Sequence, residues 1–159
     1  MEIRIPPQSI DSEKAVLGSM LQDKTAQDIA FGILTGECFY LDAHKLIFQA
    51  MSDLHQSNSP IDMVTITQKL ADRQQLDEIG GASFISGVAD RVPTASNIEY
   101  YSNIVKDKYI KRLIISNATN IIDKSYSESG DVYQTIDEFQ SKILFSARRK
   151  VPTIQWKNL

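Results

Sequence analysis

The sequence has one cysteine, Cys38, one tryptophan, Trp156, and two histidines, His44 and His55. A single cysteine excludes an internal disulfide framework and a cysteine-based zinc cluster, and it suits a reducing compartment. Cys38 reads as a small buried thiol. His44 and His55 are eleven residues apart on one expected helix. They share a face but sit about 16 Å apart, too far to chelate one metal. No apolar run approaches the ~18 residues of a membrane span, and "MEIRIPPQSIDSEK" lacks the apolar centre of a signal peptide. The expectation is a soluble, cytoplasmic protein with no membrane contact.

Catalytic signatures are missing as well. No G-x-x-x-x-G-K-[ST] loop occurs, and Gly80-Gly81 is followed by Ala-Ser-Phe, without a lysine to meet a phosphate. This pair reads as a helix stop and tight turn. No G-x-S-x-G context supports a nucleophilic serine. No catalytic, cofactor-binding or metal residue is therefore expected. "DMVTITQKLADRQQLDEIGG" has the cadence of a helix-turn-helix, yet residues 61–92 carry three basic against five acidic side chains. That balance opposes phosphate binding and favours a packing role. The one basic run, "ARRK" at 147–150, suits a helix C-terminus and its dipole.

What is present is helical periodicity. A chain of 159 residues makes one domain, or one domain with an appendage. Residues 1–93 hold 7 Lys/Arg against 13 Asp/Glu, and residues 94–159 hold 10 against 7, so the two parts present different surfaces. Ser9 is placed to cap a first helix, with Asp11 and Glu13 in its first turn and Ile10, Val16, Leu17, Met20 and Leu21 inward. Thr25 with Asp28 resembles a capping box for a second helix through Leu34, ended by Gly36. Asp42 opens a third, with Leu46, Ile47, Ala50, Met51 and Leu54 on one face. Asp62 caps a short helix bearing Val64, Ile66 and Leu70, and another runs from about Ala82 to Asp90. No segment alternates with period two long enough to be a strand. The class is all-α.

"RVPTASNIEYYSNIVKDKYIKRLIISNATNIIDKSY" has a single proline, Pro93, and no glycine, with Ser96 to Glu99 as a capping box. A helix from Ser96 to Tyr126 would span about 46 Å. A compact globule of this chain length is about 40 Å across. Such a helix needs a partner. "SESG" makes a turn, Asp131 with Gln134 caps again, and Val132, Ile136, Phe139, Ile143 and Ala147 repeat at helical spacing. The expectation is a small helical globule followed by a long antiparallel helical hairpin. Tyr101, Val105 and Tyr109 form one stripe of the long helix; a second chain covers it, or the acidic part of the same chain does. "VPTIQWKNL" reads as a linker or a frayed end.

In order and spacing, "PPQSIDSEKAVLGSML", "FYLDAHKLIFQAM", "SPIDMVTITQKL" and "LDEIGGASFISGVADRVPTASNIEYYSNIVKDKYIKRLI" resemble the N-terminal domain of the bacterial replicative DNA helicase family, DnaB. The resemblance covers about residues 5–150. It implies a globule at 1–92, a hairpin at 93–150 for dimerisation and partner docking, and at 151–159 the start of a linker to a motor domain. In the family these domains form a collar, a trimer of dimers in the hexamer, that receives the C-terminal domain of primase and in some systems a loader. It implies self-association through Tyr101, Val105 and Tyr109, and primase docking near the hairpin tip at Ile121, Tyr126 and Val132. ATP, Mg²⁺ and most DNA contact belong in the family to the downstream motor, none of whose motifs is in this sequence. A different reading of the residues is a freestanding helical nucleic-acid-binding adaptor using the hairpin and "ARRK".

Overall fold

The computed structural model describes residues 4–90, 97–127 and 130–148, the side chains of 143 and 145–148 excepted. Pro93, Ser96, Trp156, the side chains of Ile143 and Ala147, and the basic run beyond Arg148 lie outside the described residues. Among the described residues there are seven α-helices, one 3-10 turn and no strand: α1 Ile10–Gln22, α2 Lys24–Ile33, the 3-10 turn Gly36–Cys38, α3 Asp42–Gln56, α4 Met63–Asp72, α5 Gly81–Ala89, α6 Ile98–Tyr126 and α7 Val132–Arg148. The chain is all-α, a helical globule followed by a helical hairpin. It divides into two compact units, residues 1–109 and 110–159.

The first unit forms because α1 to α5 each carry one apolar face. Val16, Leu17 and Met20 of α1 meet Ile47, Ala50 and Met51 of α3, Ile66 and Leu70 of α4, and Ile85 and Val88 of α5 in one cluster. α1 packs on α2, α3 and α5, and α4 packs on α3 and α5. Each large aliphatic side chain fully buried here contributes about 1.5–3 kcal/mol. The expected inward face of α4 is corrected at one position: Val64 is exposed while Ile66 is buried. Residues two apart on a helix point to different sides.

Helix starts follow short polar side chains, though not always the expected ones. Asp23, in extended conformation between α1 and α2, accepts from the Thr25 amide at 2.9 Å and caps α2. The expected Thr25/Asp28 box is displaced by two residues, because a carboxylate already stands where the cap is needed. Gly36 opens the 3-10 turn, and Leu34 closes α2. Ser9 stands at the α1 N-cap, but its hydroxyl meets Ser12 Oγ at 2.8 Å rather than a backbone amide. Asp62 and Thr65 form a full capping box on α4. Gly80, at φ +99°, makes the left-handed turn into α5, a region costly for residues with a Cβ.

Glu13 departs most from its sequence reading. It is buried rather than facing solvent at its own helix's positive end. Its carboxylate accepts from the Tyr40 amide at 2.7 Å, the Leu41 amide at 3.4 Å and His44 Nδ1 at 2.7 Å. Leu41 is the N-cap residue of α3 and has no side-chain acceptor. A carboxylate from α1 thus supplies negative charge where the α3 dipole is positive. Phe84 of α5 packs beside the His44 ring, centroids 5.8 Å apart.

The boundary between the units falls inside α6. Ile98, Ser102 and Val105 are buried, and Ile98 and Val105 belong to the core of the first unit. The first turns of the long helix thus complete the first unit, which runs to Tyr109. No glycine or proline interrupts α6, whose 29 residues span about 44 Å.

Candidate interaction surface

The second unit holds the rest of α6 and all of α7, with the chain reversing between them. Gly130, at φ +144°, precedes Asp131, which accepts from the Tyr133 amide at 2.9 Å. The expected start of α7 at Asp131 is observed, with Thr135 rather than Gln134 bonding back to it. More than the globule, this unit leaves large apolar side chains in water. Of those exposed among the described residues, three, Ile5, Val64 and Tyr100, lie in the first unit and eight in the second. On α6 they are Ile114, Ile115, Ile122 and Tyr126; on α7 they are Val132, Tyr133, Ile136 and Leu144. Ile115 and Ile122 are seven residues apart and share one face. Such clustering marks an interaction surface.

Near the tip, the last turns of α6 and the first turns of α7 enclose an open groove of about 500 Å³. Ile121, Val132, Ile136 and Phe139 line it together with Lys124 and Glu138. Lys124 and Glu138 form an ion pair that joins α6 to α7. The hydrogen bond from Lys124, with the charges of Lys124 and Lys142, holds the Glu138 carboxyl below the usual value of 4.5.

The residues singled out from sequence separate accordingly. Ile121 and Val132 line the groove, whereas Tyr126, 87% exposed, does not. Val105 is 1% exposed, and Tyr101 and Tyr109 pack half-buried on the core of the first unit. The chain's own globule thus covers Val105, while Tyr101 and Tyr109 keep part of their surface exposed. Ile136 and Phe139 of the expected hairpin seam both reach the groove, Phe139 half-buried and Ile136 exposed. The Lys124–Glu138 pair was missed by sequence reasoning, although the two residues stand seven before and seven after Asp131. That symmetry about a turn is the available signal in an antiparallel pair.

Chemistry elsewhere is sparse. Among the described residues no three His, Cys, Asp or Glu side chains gather as metal ligands, and no helix is long and apolar enough to cross a membrane. A Cβ added at Gly80 would stand 3.5 Å from the Phe84 Cβ, an ordinary contact, so it is the positive φ that favours glycine there. The groove of Leu21, Gln22, Lys24, Asp28, His55 and Asn58 in the first unit is open and polar.

Comparison with known proteins is consistent with this geometry. The family profile of the DnaB-like helicase N terminal domain matches residues 5–107. The chain is 45% identical to the replicative DNA helicase DnaB of Geobacillus stearothermophilus over 92% of its own length and 32% of that protein. It is 40% identical to the replicative DNA helicase DnaC of Bacillus subtilis over the same shares. It therefore spans about a third of the length of these two relatives. Its fold is similar to the crystal structure of the N-terminal domain of DnaB helicase from Mycobacterium tuberculosis, with TM-score 0.84 and 34% identity, over 89% of this chain and 99% of that one. It is also similar to a DnaB-like replicative helicase whose structure was described with its interactions with primase, with TM-score 0.74 and 25% identity, over 87% of this chain and 31% of that one. By profile, sequence and fold together, the chain belongs to the DnaB-like helicase N-terminal domain family.

Proposed function

We propose that this chain is the non-catalytic assembly and primase-interaction domain of a hexameric replicative DNA helicase, acting in the cytoplasm at the replication fork. The observation that carries the reading is the concentration of exposed apolar side chains on the hairpin, eight in the second unit against three in the globule. A surface of that kind suits assembly. Self-association uses the face of Ile115 and Ile122, as a dimer or as a trimer of dimers. The C-terminal domain of primase takes the tip, with Ile121 and Val132 as apolar anchors and a polar rim. ATP and Mg²⁺ are assigned by this reading to a motor domain not contained in this sequence; a loader is a further partner in some systems.

The test is a titration of the chain with the cognate primase C-terminal domain, repeated with Ile121→Ala and Val132→Ala. Binding that weakens while both variants stay folded supports the tip as the docking site. Unchanged binding removes it. Salt-dependent DNA binding by the isolated chain, with no primase binding, would favour the nucleic-acid adaptor instead.

A further inference from the structure

The groove at the hairpin tip is lined by apolar and charged side chains side by side. Lys124 and Glu138 are 43% and 39% exposed, so both can be reached from solvent. An ion pair this exposed adds little to stability, since water already solvates both groups and salt screens them. Its position is more informative. The pair uses one ammonium donor and one carboxylate oxygen on each other. Two donors and most of the carboxylate's acceptor sites are left over. Those valences stand beside Ile121, Ile136 and Phe139, where an apolar anchor would enter.

We infer that the Lys124–Glu138 pair is the specificity-determining element of this groove, selecting a partner segment whose apolar anchor is flanked by charges of both signs. The inference rests on the primase reading above and names what the groove recognises. Rim charges of this kind set partner choice and association rate more than affinity from buried area. A segment with like charges opposite the pair is rejected by repulsion, and a purely apolar one leaves the pair's spare valences poorly met. The held-down Glu138 carboxyl supports the assignment by keeping that charge in place.

The experiment is a charge swap, Lys124→Glu with Glu138→Lys, in the full chain. The swap keeps the attraction between α6 and α7 and reverses what a partner meets. Calorimetric titration with the cognate primase C-terminal domain at about 0.1 M salt should show binding at least tenfold weaker. Thermal unfolding and helix content should match the parent. If the swapped chain binds as the parent does, the inference is overturned while the primase reading stands. If the parent itself does not bind, the primase reading fails and this inference falls with it. Should the swap unfold, Lys124→Gln with Glu138→Gln is judged by the same tenfold criterion.

Discussion

At the scale of single residues, Glu13 connects the start of α3 to the middle of the core. It accepts two backbone amides and one imidazole, all from a segment far along the chain. Glu13→Gln keeps the shape but turns one acceptor into a donor facing donors. Leaving such buried groups unmatched costs about 1–3 kcal/mol, to be read as a lower urea midpoint with unchanged slope. Full stability in the variant would show that the carboxylate is dispensable there. Asp53 offers a pH test. Burial raises its pKa, but hydrogen bonds from Arg73 and Gln49, with the charges of Arg73 and Lys69, outweigh that and hold it below the usual 3.8. A carboxyl whose folded pKa is depressed adds stability above its unfolded pKa and loses it as pH falls through the folded value. Asp53→Asn should therefore cost under about 1 kcal/mol at pH 7. The difference from the parent should shrink as the pH drops below about 4. A gap that persists in acid would assign the effect to packing.

At the scale of elements, α4 and the hairpin show what periodicity does and does not say. Val64 and Ile66 are both β-branched and sit on the same helix, but only Ile66 is buried. Ile66→Ala should cost about 2–5 kcal/mol. Val64→Ala should change stability by no more than about 0.5 kcal/mol, and equal losses would mean that α4 is rotated. Phe139 is half-buried in the tip groove, so Phe139→Ala should cost roughly half the 3–5 kcal/mol of a buried phenylalanine, measured by thermal unfolding. The caps at Asp62 and Asp131 were legible, whereas at α2 the adjacent Asp23 was passed over for Thr25. Leu41 is a helix start with no local acceptor, and its support from Glu13 could not be read from spacing because the two are 28 residues apart.

At the scale of the whole molecule, the distinction between core and surface runs along α6 itself. Val105→Asp places a charge in the core of the first unit and should unfold the chain, seen as lost helix signal by circular dichroism. Ile122→Asp alters a side chain already 55% exposed, so it should leave helix content intact while light scattering shows weaker oligomers. An unmutated chain that stays monomeric at high concentration would remove the self-association reading. The two variants separate what the long helix does for its own globule from what it offers to another chain.

Helix type, number and order, the long α6 and the turn near Gly130 were fixed by the sequence alone. They follow from local causes: apolar residues every three or four positions, acceptors at the caps, and no glycine or proline between Ile98 and Tyr126. Four motifs in order also made the family visible. Tertiary structure decided which stripe of α6 is covered and which residue supports the start of α3. Those depend on residues distant in sequence competing for the same apolar face or the same donor. Tyr101, Val105 and Tyr109 look as available in sequence as Ile115 and Ile122 do, and only the globule packed against the first three turns of α6 tells them apart.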